Sequence, residues 1–170
     1  ILAAYFLSAT HTAGFSTIDI NSTLPATQIF MMGMMFIGGA PGSTAGGIKV
    51  TTLLLLAMII WSVFSGKKDV EIAKRRISSQ DVSRTITVVS ISVLVIFLGA
   101  LLLSVQHHEF LPVLFEVVSA TGTVGLSLGL TQSLTPLGQI IIIAIMLFGR
   151  LGPVTIGLAL AYRPQTCAIR

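Results

Sequence analysis

Two segments of the sequence place the same residue types at the same spacing. Residues 8–16 read SATHTAGFS, and residues 119–127 read SATGTVGLS, a constant offset of 111. Each copy centres on Thr-x-Gly-(Phe/Leu)-Ser. A site formed by this pattern would bind its ligand through backbone groups and would need no side chain. Gly14 and Gly125 can adopt backbone angles that turn successive carbonyl groups toward one axis without a side-chain clash. The two segments therefore predict a site built from main-chain oxygens.

Carbonyl oxygens arranged in this way replace the hydration shell of a large, weakly hydrated cation, and the pattern is similar to the Thr-Val-Gly-Tyr-Gly filter that does so for potassium. We predict two filter segments, whose ligands are the backbone carbonyls of Thr12, Ala13, Gly14, Thr123, Val124 and Gly125. Pore helices ending at Thr10 and Thr121 would direct their negative ends toward a cation below. The alternative is a coincidence between two glycine-containing turns.

The repeat extends beyond the two filter segments. At the same offset the sequence matches Ser22 with Ser133, Pro25 with Pro136, Gln28 with Gln139, Ile29 with Ile140, Met35 with Met146 and Gly38 with Gly149. The repeated unit is thus a filter, a short polar loop and a hydrophobic helix that begins at proline. Internal repeats in an apolar chain are typical of membrane transporters and channels.

Composition indicates a membrane protein. The 170 residues are 54% hydrophobic and 9% charged, with a mean hydropathy of +0.95, whereas soluble domains carry roughly 25% charged residues. Six of the ten Lys and Arg residues lie within residues 67–84, which argues against a nucleic-acid surface. This asymmetry predicts that residues 65–84 and the C-terminus are cytoplasmic in a multi-pass protein of the inner (plasma) membrane. An amphipathic basic helix on the membrane surface is compatible with the same topology.

The apolar stretch of residues 25–64 is too long for one straight membrane helix. Forty helical residues would extend about 60 Å, and a hydrocarbon core is about 30 Å thick. Residues 38–47 read GGAPGSTAGG, which predicts a break, followed by a second helix to Phe64. Further along the chain, we predict a spanning helix over 85–106, a pore helix over 112–121 and an inner helix over 136–162.

The glycine-rich break predicts a gate at the pore, because non-helical backbone at membrane depth must line a cavity or be buried in protein. The predicted gate residues are Gly39, Gly42, Ser43, Thr44, Gly46, Gly47 and, from the last helix, Arg150. A plain cytoplasmic loop, with Lys49 outside the membrane, is the alternative. A phosphate-binding loop is excluded because Ile48 occupies the position that requires lysine.

Arg150 is the one charge in the last apolar span before Arg163. A charge inside a spanning helix costs about 2.5–3.5 kcal/mol, so it should face water or a partner. The repeat offset places Arg150 beside Gly39, where it would contact the loop and repel an arriving cation. A snorkelling interfacial arginine is the alternative.

Other polar residues carry weaker signals. We expect Glu116, in a pore helix, to accept hydrogen bonds, whereas Asp19 and Glu109 either concentrate cations at the outer mouth or are solvated loop charges. A lone Cys167 offers no metal site. These observations predict a transport protein rather than an enzyme, with potassium as substrate and no cofactor.

Four motifs in order resemble the Trk/Ktr/HKT potassium transporter family, and bacterial KtrB-type membrane subunits most of all. Residues 12–16 resemble the third filter, 38–49 the intramembrane gating loop, 123–127 the fourth filter and 148–153 the arginine-bearing last helix. The resemblance implies an all-α membrane fold of tandem helix–pore loop–helix repeats, similar to potassium channels. The family has four repeats, so we expect the first two to be missing from these residues and the fragment alone not to conduct.

The resemblance also implies an organisation and partners. Residues 1–64 would be the third repeat, 65–84 a cytoplasmic basic linker and 85–170 the fourth repeat. It implies potassium uptake by a homodimer in membrane lipid with a cytoplasmic nucleotide-binding RCK ring, such as KtrA, and it leaves sodium coupling open. Residues 67–84 are a candidate docking surface for that ring. Two other classes remain open: a broken-helix secondary carrier for another ion or solute, and a non-conducting membrane scaffold.

Overall fold

The computed structural model describes residues 2–10, 14–17, 19–40, 46–65, 71–72, 75–106 and 109–151, and these are mainly helical. The helices are α1 (Leu2–Thr10), α2 (Pro25–Phe36), α3 (Val50–Phe64), α4 (Ser79–Ser104), α5 (Phe110–Gly122), α6 (Leu130–Ser133) and α7 (Pro136–Leu151), with a 3₁₀ turn at Ile20–Ser22. Two short strands, β1 (Glu71–Ile72) and β2 (Arg75–Arg76), pair antiparallel. The predicted all-helical fold class is confirmed, apart from this short ladder, which the sequence pattern did not indicate.

Helix α5 lies at the centre of the packing and contacts α2, α4 and α7. All eight of its residues from Phe115 to Gly122 are buried, and so is Val113. One of its faces packs with α4 and α7 in a cluster that includes Val117 and Ile145. Another packs with α2 in a cluster that includes Phe115 and Met35. Because nine of its 13 residues are buried, α5 holds the start of the loop that follows it in a fixed position.

The predicted break in the long apolar stretch lies between α2 and α3. Its two sides are joined by backbone hydrogen bonds, from the Gly38 amide to the Ile48 carbonyl at 2.8 Å and from the Ile48 amide to the Phe36 carbonyl at 3.2 Å. Residues Ile37 and Ile48 form a parallel bridge. We call this pairing of residues 36–39 with 46–50 the neck. It satisfies backbone groups that would otherwise be unpaired where the helix is interrupted.

Helix α4 begins six residues earlier than the sequence pattern predicted. Ser78 caps it by accepting a hydrogen bond from the Gln80 amide at 3.3 Å, and Asp81 lies in its first turn. A cap and an acidic first turn stabilise a helix start even in a polar segment. Within the described residues, Gln80–Ser104 is long and apolar enough to cross a membrane, and α3, α5 and α7 are shorter apolar helices. The predicted continuation of the last helix over 152–162 lies outside the described residues.

Candidate functional site

The chain reverses direction at the C-terminal end of α5, where the second filter segment begins. Thr123 has φ 53° and ψ 37°, and within the described residues no other non-glycine residue has a positive φ. Its amide donates to the Ala120 carbonyl at 3.1 Å, and the Val124 amide donates to the Ser119 carbonyl at 3.0 Å. A β-branched residue in this region is strained, and such strain is found mostly at functional sites.

The glycines of both predicted filter segments use backbone angles that other residues rarely adopt. Gly125 has φ +93°, with open space where a side chain would project. Gly14 has φ +75°, and its amide donates to the Thr10 carbonyl at 3.0 Å. A Cβ atom on Gly14 would overlap the carbonyl oxygen of Val124. The two predicted filter segments therefore meet backbone to backbone, with a carbonyl group at the contact.

The predicted filter is described in part. The structure describes Gly14 and residues 123–125, whereas Thr12 and Ala13 lie outside the described residues. Val124 is buried and packs in the cluster formed by α2 and α5, and Thr123 is half-buried. The Val124 side chain thus holds the second segment against the cluster of α2 and α5, and the backbone of the segment lies on the side away from that cluster.

The C-terminal side of the glycine-rich break lies against the base of the second filter segment. The Gly46 amide donates to the Thr123 hydroxyl at 3.0 Å. A Cβ atom on Gly46 would come within 2.8 Å of the Gly122 carbonyl oxygen. Gly39 and Gly47 both lie in the neck, and Gly47 has φ +71°. Of the predicted gate residues, Gly42, Ser43 and Thr44 lie outside the described part of the chain.

Arg150 lies in the last turn of α7, also near the end of α5. It is exposed and follows Gly149, where a Cβ atom would overlap the Thr121 carbonyl oxygen. The backbone of α7 is therefore in contact with the last turn of α5, next to Arg150. The glycine-rich break and the turn of α7 that contains Arg150 both lie near the C-terminal end of α5. The sequence offset alone did not establish this proximity.

Glu116 is buried, with 5% of its surface exposed, and both of its oxygens accept hydrogen bonds. Oε2 accepts from the Ser127 hydroxyl at 2.7 Å, and Oε1 accepts from the Thr131 hydroxyl. The expectation that Glu116 accepts hydrogen bonds is confirmed. The sequence did not identify Ser127 and Thr131 as its partners.

The structure describes both of the acidic loop residues that the sequence singled out, Asp19 and Glu109. Asp19 Oδ1 accepts from the Asn21 amide at 3.0 Å and begins the 3₁₀ turn, whereas Glu109 is exposed just before α5. In the described part of the chain, no three His, Cys, Asp or Glu side chains come together in a way that could hold a metal ion. The candidate site therefore consists mainly of backbone oxygens and hydroxyl groups.

Comparison with known proteins identifies the family to which this arrangement belongs. The family model described as "TrkH: Cation transport protein" matches residues 1–168. The chain belongs to the TrkH cation transport family. Its fold is also similar to the crystal structure of the potassium transporter TrkH from Vibrio parahaemolyticus, with a TM-score of 0.72 at 22% identity over 95% of this chain and 37% of that one. This likeness shows that the two chains share a fold.

Curated relatives of the TrkH family match nearly the whole chain. Ktr system potassium uptake protein B from Bacillus subtilis is 39% identical over 96% of this chain, and its namesake from Vibrio alginolyticus is 36% identical over 99%. Potassium/sodium uptake protein NtpJ from Enterococcus hirae is 39% identical over 89%. The chain spans 35–37% of the length of these relatives.

Proposed function

We propose that this chain forms part of a potassium-uptake pore whose selectivity filter is lined by backbone carbonyls. The observation that carries the proposal is the contact of Gly14 with the Val124 carbonyl oxygen. It brings together two segments that are offset by 111 residues in sequence and share the Thr-x-Gly pattern. A pore needs carbonyl groups from several segments around one axis, and this contact supports such an arrangement.

Potassium is the cation that fits this chemistry best. The proposed ligands are the carbonyls of residues 12–14 and 123–125, which carry dipoles and no full charge. Such ligands suit a large cation that loses water readily, whereas small divalent cations bind carboxylates. The relatives named for potassium uptake support the same choice, and NtpJ, named for potassium and sodium, supports sodium as a second ion.

The proposed gate is the glycine-rich loop together with Arg150. The hydrogen bond from Gly46 to Thr123 supports a loop that lies directly below the filter. The contact of Gly149 with the Thr121 carbonyl supports a position for Arg150 at a similar depth. The proposal that the loop moves is based on its composition, since five of residues 38–47 are glycine. Movement of the loop would open the path below the filter.

The assembly of the complete protein is also part of the proposal. The words "Ktr system" in the relatives' names support a transporter of several components. We propose a homodimer of the membrane subunit with a cytoplasmic nucleotide-binding RCK ring, similar to KtrA. Residues 65–84 and the C-terminus would face the cytoplasm, and the basic residues of 67–84 would contact the ring.

Rubidium uptake tests the function directly. The protein that carries this chain, at its full length, would be expressed in bacteria lacking their own potassium uptake systems, and uptake of radioactive rubidium would be measured with and without excess sodium. We expect saturable uptake that sodium does not block. Transport of a different solute would favour the broken-helix carrier, and absence of transport from a well-expressed protein would favour a scaffold.

A further inference from the structure

The carboxylate of Glu116 joins the second filter segment to the pore helix. Ser127, the last residue of the filter pattern, donates to Oε2, and Thr131 of α6 donates to Oε1. The Ser127 hydroxyl in turn accepts from the amide of Gly129, which has φ +87°. We call Glu116, Ser127, Gly129 and Thr131 the carboxylate clamp. It connects α5 to the C-terminal end of the second filter segment and to the turn that follows.

The clamp is costly to build, which indicates a specific role. A carboxylate that is 95% buried loses most of its hydration, and its partners in the described part of the chain are hydroxyl groups rather than cations. Such burial is tolerated only when the oxygens are satisfied by well-placed donors. A pair of apolar residues would hold the same elements together without that cost. The hydrogen bonds to the carboxylate therefore fix the positions of Ser127 and Thr131 more narrowly than apolar packing would.

The sequence of the third repeat does not contain the same set of clamp residues. At the offset of 111, Ser16 retains the hydroxyl of Ser127, but Tyr5 stands in place of Glu116 and Ile20 in place of Thr131. The loop after the first filter segment is held by a neutral group, since the Gln28 amide donates to the Ile20 and Thr23 carbonyls at 3.3 Å each. The two filter segments thus share a backbone pattern and differ in what supports them.

We propose that Glu116 is a positioning residue for ion selectivity, acting through Ser127 and Thr131 to hold the carbonyl groups of the second filter segment at a spacing that suits potassium. This inference rests on the proposed function. Discrimination against sodium requires carbonyl groups that do not move inward around a smaller ion. A segment whose C-terminal end is held by hydrogen bonds resists that movement. The first segment, which lacks the carboxylate, contributes less to discrimination.

The test compares variants of the full-length protein by the ratio of rubidium to sodium uptake in expression-matched cells. Glu116→Gln removes the charge at nearly constant shape. Thr131→Val keeps the charge and removes one donor, and Thr131→Ser restores that donor. Tyr5→Phe is the matched control at the equivalent position of the third repeat. We expect Glu116→Gln and Thr131→Val to lower the ratio about tenfold, or about 1.4 kcal/mol, with Thr131→Ser and Tyr5→Phe at the wild-type ratio.

Each outcome decides the inference. A wild-type ratio in Glu116→Gln, even at reduced thermal stability, would show that the clamp serves only folding. If Glu116→Gln does not reach the membrane, Thr131→Val decides alone, and a wild-type ratio there overturns the inference. A reduced ratio in Glu116→Gln with a normal ratio in Thr131→Val would attribute selectivity to charge and not to the clamp. Absence of rubidium uptake by the wild-type protein would instead overturn the proposed function, and the inference with it.

Discussion

The amide of Gly46 donates a hydrogen bond to the hydroxyl of Thr123 at 3.0 Å, between residues that are 77 positions apart in sequence. Gly46 lies near the C-terminal end of the glycine-rich break. Thr123 is the first residue of the second predicted filter segment and has a left-handed backbone conformation. The bond therefore connects the proposed gate directly to the proposed filter. Because a hydroxyl group is the acceptor, the connection can be removed without altering the filter backbone.

Removing the Thr123 hydroxyl should weaken the closed position of the loop. Thr123→Val keeps the shape and the β-branch, and it removes an interaction with a typical net contribution of about 1 kcal/mol. We expect the maximal rate of rubidium uptake to rise about fivefold with an unchanged half-saturation concentration. Thr123→Ser, which keeps the hydroxyl, is the control and should behave like the wild type. A maximal rate in Thr123→Val equal to that of Thr123→Ser would show that the bond does not hold the gate.

Substitutions at the two filter glycines should differ in severity. Gly125→Ser meets open space but a φ of +93°, so we expect it to admit sodium or reduce flux while the protein still folds. Gly14→Ala adds an overlap with the Val124 carbonyl oxygen to the strained φ of +75°, so we expect loss of nearly all uptake. Gly33→Ala, on α2 with no atom near the added methyl group, is the control. Wild-type potassium-over-sodium selectivity in Gly125→Ser would contradict the filter assignment.

Shortening the glycine-rich loop should open the path below the filter. Deletion of residues 42–46 removes the donor to Thr123 together with most of the loop. We expect higher potassium flux that depends less on the cytoplasmic partner. Uptake would be measured in cells with and without that partner, at matched amounts of the membrane subunit. Unchanged or lower flux from a well-expressed deletion would show that the loop is not the barrier.

Neutralising Arg150 should raise the maximal rate of uptake. Two unit charges about 6 Å apart repel by about 3 kcal/mol at an effective dielectric constant of 20, enough to slow passage roughly a hundredfold. Arg150→Ala should therefore transport faster with little change in half-saturation. Arg150→Lys should be intermediate, since it keeps the charge and loses the planar fork of donors. Near-normal rates in both variants would instead indicate a snorkelling arginine at the membrane interface.

The local elements of this protein could be predicted from the sequence because their signals are local. Glycine and proline at residues 38–47 interrupt an apolar stretch, and the helix indeed stops at Phe36 and resumes at Val50. The sequence predicts a helix over 112–121, and the structure has α5 at Phe110–Gly122. The start of α4 was predicted too late because the apolar pattern begins at Thr85, whereas the Ser78 cap extends the helix into polar residues.

The meeting of distant segments was decided only by the tertiary structure. Packing of α5 against α2 and α7 brings its last turn to Gly46 and Gly149, and no local pattern encodes which carbonyl or hydroxyl each glycine approaches. The partners of Glu116 lie 11 and 15 residues away, beyond a reversal of the chain at Thr123, where helical spacing no longer predicts neighbours. Repetition in the sequence predicted two similar filter segments. The packed structure decided that they touch, because contacts across more than a hundred residues depend on how whole helices pack.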